Sequence, residues 1–336
     1  MPRRKSGRWR ESVSNGRRAQ ALAAPFDKFG QARVHSSLPP HPNRRPRLRL
    51  AFVGMRSARG RGYMGPVVKS VELPNRVTLP YAEQGDPSGV PVLLLHGFAD
   101  SWRSFELVLP HLPGSIRAFA LTLRGHGDAS RPAAGYGVRD FAADVAAFQD
   151  AMHLRAAVIV GHSMGSGVAL RYAIDHPKRT TGLVLVGASP TMGATAAARE
   201  FWDSTVSKLT DPVDPALVRG MTESALAQPV PPAFLEAAVR EGMKVTALVW
   251  KAAFESRWRL EGDYSAELSQ IAAPTLIVWG DQDARYPRGE QEALASEIAG
   301  SRLLVYHGAG HLLHWEEPQR FASDLVTFVE RLSKGC

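Results

Sequence analysis

Ala156-Ala157-Val158-Ile159-Val160-Gly161-His162-Ser163-Met164-Gly165-Ser166-Gly167 is the stretch on which the reading of this chain turns. Residues 156–160 form a short apolar run rich in β-branched side chains, the pattern of a strand buried on both faces. The run breaks at Gly161. From Met164 the spacing becomes helical, with Val168, Tyr172 and Ala173 falling on one side. Ser163 is thereby placed at the tip of a strand-to-helix turn, between Gly161 and Gly165. A serine held there takes an unfavourable backbone conformation costing ~1–3 kcal/mol. A side chain at either flanking position would collide with the adjoining strand or helix. The plain alternative is a glycine-rich turn arising by chance. The strand before and the helix after favour the Gly-x-Ser-x-Gly pattern of a nucleophile elbow.

The chain has 336 residues, 44% of them hydrophobic, ample for a substantial core. No apolar run approaches the ~18–20 residues of a membrane span. The single cysteine, Cys336, excludes an intramolecular disulfide and a cysteine-based zinc site. The net charge of +9 is unevenly spread. Residues 1–70 hold 17 Lys/Arg against two acids, Glu11 and Asp27, which leaves 24 basic and 30 acidic residues for the remainder. Residues 1–63 are rich in Arg, Pro, Gly, Ser and Ala without sustained periodicity, so a disordered basic leader is expected. It fits a transit segment, or a translation start set too early with Met55 or Met64 the true beginning; its apolar core, residues 19–25, is too short for a secretory signal. Nucleic acid or an acidic membrane is a partner only through this leader, and no folded motif or stacking platform accompanies it. A cytoplasmic location is expected.

Outward from the opening stretch, strands are expected over residues 67–73, 77–84, 90–95, 116–121, 183–186, 274–279 and 303–306, the first two joined by a turn at Pro74-Asn75. Helices are expected over 102–112, 289–299 and 318–332, the last with Phe321, Leu325, Phe328 and Leu332 on one side. Another carries Val138, Phe141, Val145, Phe148 and Met152 at three- and four-residue spacing. Such alternation implies an α/β fold with a mainly parallel, doubly wound sheet. Residues 189–271 break the rhythm: no clear strand, prolines at 212, 215, 229, 231 and 232, and Phe201, Trp202, Met221, Phe234, Met243, Trp250, Phe254 and Trp258. The division expected is a first core part over 64–188, a helical insertion over 189–271 and a second core part over 272–336. Most of the insertion's aromatic and Met residues should be ordinary core, with a few lining a pocket.

Two further loops carry chemistry-bearing residues. Gly280-Asp281-Gln282-Asp283 follows the strand ending at Trp279, and His307-Gly308-Ala309-Gly310-His311 follows the strand ending at Tyr306. Both lie at strand C-terminal ends, where open parallel sheets place their sites. A serine hydroxyl is a weak nucleophile near neutrality and needs a base, which in turn needs an orienting acid. Asp281 and Asp283 compete for the acid; Asp281, next to Gly280, suits turn stabilisation. His307 and His314 read as ordinary polar loop residues beside His311, and no nearby Cys supports a metal site built from the three.

Over about residues 67–333 this sequence resembles the α/β-hydrolase family, whose chain order is nucleophile, acid, histidine. The resemblance implies Ser163 as nucleophile, Asp283 in Gly-x-x-Asp as acid and His311 in Gly-x-Gly-His as base. It implies an oxyanion hole from the backbone N–H groups of Met164 and of Phe98 in His96-Gly97-Phe98, and a helical cap entering after the sixth strand, where 189–271 falls. No cofactor and no metal are implied. Arg124-Gly125-His126-Gly127 is similar to the family's Asp-x-Arg-Gly-His-Gly-x-Ser turn, but Thr122 replaces the Asp and Ala129 displaces Ser130; this turn is expected to support the site structurally. Relatives that open epoxides or remove halide carry Asp at the elbow, whereas Ser163 suits acyl transfer. The function expected is therefore a serine hydrolase cleaving an ester or related acyl bond of a small, largely apolar substrate. A carbon–carbon bond hydrolase or cofactor-free perhydrolase on the same residues is the alternative, and a small-molecule receptor with vestigial turnover is the alternative of another class.

Overall fold

The computed structural model of the chain describes residues 66–191, 196–258 and 263–334, with backbone alone at 257 and 258. The expectations for residues 1–63, Met55, Met64 and Cys336, and for the side chain of Trp258, lie outside the described residues.

Eight strands form one sheet: β1 (Val67–Glu72), β2 (Thr78–Gln84), β3 (Val90–Leu95), β4 (Ile116–Leu121), β5 (Ala157–His162), β6 (Thr180–Val186), β7 (Thr275–Gly280) and β8 (Arg302–Tyr306). Their spatial order is β1-β2-β4-β3-β5-β6-β7-β8. β2 is antiparallel to both its neighbours and every other pairing is parallel. The helices are α1 (Val138–Ala151), α2 (Met164–Asp175), α3 (Ala196–Ser204), α4 (Pro215–Glu223), α5 (Pro232–Gly242), α6 (Ala247–Trp258), α7 (Arg288–Glu297), α8 (Leu313–Glu316) and α9 (Pro318–Lys334). Between β6 and β7 the described residues contain helices and turns but no strand.

The strands read as apolar runs because both faces are covered. On β3, Leu93 and Leu95 pack into one buried cluster with Phe141, Val145 and Phe148 of α1 and Val168 and Tyr172 of α2. Val92 and Leu94 face the other side, with Phe321, Leu325 and Val329 of α9. Phe234, Trp250 and Phe254 of the insertion are buried, Phe201, Trp202 and Met221 are partly so, and Met243 is exposed.

Two local readings are corrected. Residues 102–112 form two 3-10 turns, Trp102–Phe105 and Leu109–His111, instead of an α-helix. The backbone–backbone bonds there are of i to i+3 type, such as Val108 N–H to Phe105 and Leu112 N–H to Leu109. Pro110 removes a donor from the middle of the run, so no α-helical ladder can extend through it. β5 does not break at Gly161; it runs to His162, still paired with β6 at Gly161–Leu185 and His162–Val186.

The turn after β4 is fastened by a buried ion pair. Arg124 bonds Asp144 of α1 through Nε and Nη2, and also donates to the Gly135 carbonyl oxygen at 2.8 Å. Asn75 donates to the same carboxylate at 2.9 Å, tying the β1–β2 turn to α1. Ser130 Oγ accepts from Thr78 N–H at 2.9 Å and Thr122 Oγ1 from Trp102 N–H at 3.1 Å. Removing one partner of a buried pair leaves the other charge uncompensated. Asp144→Ala should therefore cost about 3–5 kcal/mol in urea unfolding. A loss below about 1 kcal/mol, the worth of an exposed pair, would show that the pair does not hold the turn.

Candidate active site

β3, β5, β7 and β8 run parallel, and their C-terminal ends deliver residues to one edge of the sheet. Ser163 sits between β5 and α2 at φ 51°, ψ −117°, in the left-handed half of backbone space. Its N–H donates to the Val186 carbonyl oxygen of β6 at 3.0 Å. The flanking glycines permit the bend: a Cβ on Gly161 would lie 2.2 Å from the Gly165 carbonyl oxygen, and one on Gly165 would lie 2.3 Å from that of Leu95. Strain of about 1–3 kcal/mol at Ser163 is sustained because strand and helix on either side fix the turn.

His311 and Asp283 meet at the same edge. His311 Nδ1 lies 2.8 Å from Asp283 Oδ2, and both side chains are nearly out of water. Asp283 Oδ1 accepts from the backbone N–H groups of Arg285 at 2.8 Å and Tyr286 at 3.2 Å. Burial alone would push this carboxyl up. The charge and hydrogen bond of His311, with the two amides, outweigh it and hold the carboxyl below the ordinary carboxylate value. With Nδ1 bound to the carboxylate, Nε2 of His311 is buried and has no partner. Gly187, at the end of β6, makes room for the pair: a Cβ there would lie 2.9 Å from His311 Nδ1 and 3.3 Å from Asp283 Oδ2.

The other candidates go elsewhere. Asp281 Oδ2 lies 2.8 Å from His307 Nδ1, and its Oδ1 accepts from Gly308 N–H at 2.7 Å; His307 is exposed. His314 is buried, its Nε2 3.0 Å from Ser104 Oγ. The three histidines of the last loop thus take three separate partners.

In the loop after β3, His96 Nε2 accepts from Leu123 N–H at 3.0 Å, leaving Nδ1 to donate to the Gly97 carbonyl oxygen at 2.7 Å. Gly97 lies against the elbow, for a Cβ on it would be 3.3 Å from Cβ of Ser163. The Phe98 ring packs edge-on to Trp250 at 4.7 Å and Phe254 at 5.5 Å, both on α6, and to His126 at 5.4 Å. Met164 is the first residue of α2, so its N–H has no acceptor within the helix.

Sequence reasoning passed over two residues that touch this arrangement, Gly187 and His162, and read a third, His314, as an ordinary polar loop residue, whereas it is buried in α8. Gly187 had a signal, a glycine directly after the run ending at Val186. His162 and His314 had none, since their partners are remote in sequence. Burial lowers the affinity of these rings for a proton, taking His314 to about 3 and His162 well below the ordinary value. His96 and His126 are likewise lowered, to about 3 and about 4.

Known proteins place the chain in a family. The pattern of the alpha/beta hydrolase fold matches residues 90–318. The chain is 32% identical to 2-hydroxymuconate semialdehyde hydrolase of Pseudomonas sp. strain CF600, over 72% of this chain and 87% of the relative. It is 29% identical to a non-heme chloroperoxidase of Streptomyces lividans, over 74% and 95% respectively. Among solved structures, an esterase from Rhodococcus sp. ECU1013 superposes with a TM-score of 0.68 at 26% identity, covering 79% of this chain and 99% of the esterase. The chain belongs to the α/β-hydrolase fold family and is an enzyme of that family. Among the described residues no helix is long and apolar enough to cross a membrane.

The depressed carboxyl of Asp283 has a stability consequence. A group whose folded value lies below its unfolded one adds stability above the unfolded value, and that stability is lost as pH falls through the folded value. The stability advantage of the wild type over Asp283→Asn should be full at neutral pH and shrink below about pH 4, near the unfolded Asp value. Chemical denaturation at successive pH values measures the gap; one that stays flat or widens on acidification contradicts the assignment.

Proposed function

We propose that the protein is a serine hydrolase cleaving an ester or related acyl bond of a small, largely apolar substrate. The observation carrying this reading is the buried Asp283–His311 hydrogen bond, with Nε2 of His311 unpaired at the sheet edge that bears Ser163. In this scheme Nε2 takes the proton of the Ser163 hydroxyl as its oxygen attacks the carbonyl carbon. The Phe98 and Met164 N–H groups donate to the oxyanion, a contribution of ~2.7–4 kcal/mol per donor. His311 returns the proton to the leaving group, and water hydrolyses the acyl-enzyme by the same route. Asp283 fixes the imidazole with its proton on Nδ1, the tautomer that leaves Nε2 free to accept. Catalytic hydrogen bonds in ligand-free enzymes commonly tighten only when substrate binds. Asp281, bonded to His307 and the Gly308 amide, has a turn-holding role.

Residues 189–271 act in this reading as a helical cap. Trp250 and Phe254 reach Phe98 from α6, supporting an apolar group bound beside the oxyanion donors. Residues 64–188 and 272–336 supply the core, and the partner is the small-molecule substrate. The likeness to 2-hydroxymuconate semialdehyde hydrolase favours a second reading, hydrolysis of a carbon–carbon bond on the same residues.

Ser163→Ala should lower p-nitrophenyl ester turnover by up to ~10⁶ while leaving unfolding unchanged. Asp283→Asn should lose on the order of 10⁴ through the wrong tautomer, and Asp281→Asn far less. Wild-type turnover in Ser163→Ala, or the opposite ranking of the two carboxylates, sinks the scheme. An acyl-chain-length series of esters, run beside 2-hydroxymuconate semialdehyde, separates the two readings by which substrate gives the higher kcat/KM.

A further inference from the structure

The variable position of Gly-x-Ser-x-Gly holds His162, although the bend itself asks only for small residues at 161 and 165. The His162 side chain is buried, and its Nε2 lies 3.1 Å from the backbone carbonyl oxygen of His311. A carbonyl only accepts, so Nε2 carries the proton and Nδ1 is bare. The ring packs against those of His311, at 4.9 Å between centroids, and His314, at 4.5 Å. Its Nδ1 abuts Gly97, where a Cβ would lie 2.8 Å away. His314 and Trp315 in turn converge on Ser104 Oγ, at 3.0 and 3.3 Å, just beyond the Phe98 loop. One imidazole therefore touches the elbow that carries it, the loop of His311 and the loop of Phe98.

The His311 side chain is tethered at a single nitrogen, because Nε2 must stay unpaired to take a proton. Its approach to Ser163 then depends on where the main chain holds Cα. The segment leading to it is fixed by Gly308 N–H on Asp281 Oδ1 at 2.7 Å, Gln282 N–H on the Ala309 carbonyl oxygen at 3.0 Å and Gly310 N–H on Glu316 Oε2 at 2.8 Å. The backbone of His311 itself makes two hydrogen bonds. His311 N–H donates to the Ala225 carbonyl oxygen at 2.9 Å, from the helical insertion, and the His311 carbonyl oxygen accepts from His162.

We propose that His162 is a positioning residue, whose Nε2–H holds the His311 backbone so that the base keeps its register with Ser163. The inference rests on the serine-hydrolase reading above and assigns a role within it to the residue preceding the nucleophile. Because burial and the neighbouring histidines hold His162 far below the ordinary histidine value, the donor stays in one neutral form through the working range of pH.

Two variants separate positioning from mere packing. His162→Leu keeps an apolar side chain of similar bulk without a donor, whereas the amide of His162→Gln can donate to the same carbonyl. On a p-nitrophenyl ester, His162→Leu should lower kcat by on the order of 10²-fold, the scale of a 1 Å misplacement, with KM little changed. His162→Gln should recover most of that loss, and the difference between the two should persist when both are assayed well below their Tm values. Equal kcat in the two variants, or wild-type kcat in His162→Leu, overturns the proposal. ¹⁵N imidazole NMR of the wild type tests it without any substitution. His162 should be neutral with its proton on Nε2 at pH 7, and an Nδ1–H tautomer or an imidazolium overturns it. Failure of the underlying reading looks different: ester turnover retained in Ser163→Ala, with the His162 tautomer as stated.

Discussion

The hydrogen bond between Asp283 and His311 makes the heaviest demand on the rest of the molecule. A carboxylate removed from water stays ionised only if its oxygens are met by strong donors. Here one oxygen faces the imidazole, and the other takes the amides of Arg285 and Tyr286. β7 and β8 must therefore end at the same level, and the strand beside them must end in a residue with no side chain. Gly187 meets that condition; any Cβ at the position would press on both partners.

The sheet supplies the remaining geometry. β6 lies between β5, which leads to Ser163, and β7, which leads to Asp283. It also accepts the Ser163 amide at Val186, so one strand both spaces the groups and anchors the bend. The helical insertion adds two contacts of different character. Ala225 accepts from the His311 backbone, and the aromatic rings of α6 close on Phe98. Movement of the insertion would thus be felt at His311 and at Phe98 together.

What could be read directly from the residues was whatever rests on local pattern. The sheet strands declare themselves through β-branched apolar runs, and α1 and α9 through their apolar faces. Ser163, Asp283 and His311 are each marked by glycines at fixed spacing after a strand, and the structure brings the last two into contact at the edge carrying the first. Residues 102–112 mislead because Phe105, Val108, Leu109 and Leu112 have helical spacing, while Pro110 denies the run a backbone donor it would need. The end of β5 misleads for the opposite reason: a glycine suggests a break, but pairing with β6 carries the strand on to His162. His162 and His314 were illegible because their meaning lies in partners brought near only by folding. Asp281 and Asp283 were told apart by local pattern, the one next to Gly280 and the other in Gly-x-x-Asp, and in the structure the two carboxylates point to different histidines.

The central claim is that His311 makes an attacking group of the Ser163 hydroxyl. Covalent labelling by a fluorophosphonate, with the adduct located by peptide mass spectrometry, tests it most directly. The account predicts one equivalent of label on Ser163 in the wild type and loss of that labelling in His311→Ala. Label on another residue, or undiminished labelling of Ser163 without the imidazole, would contradict it.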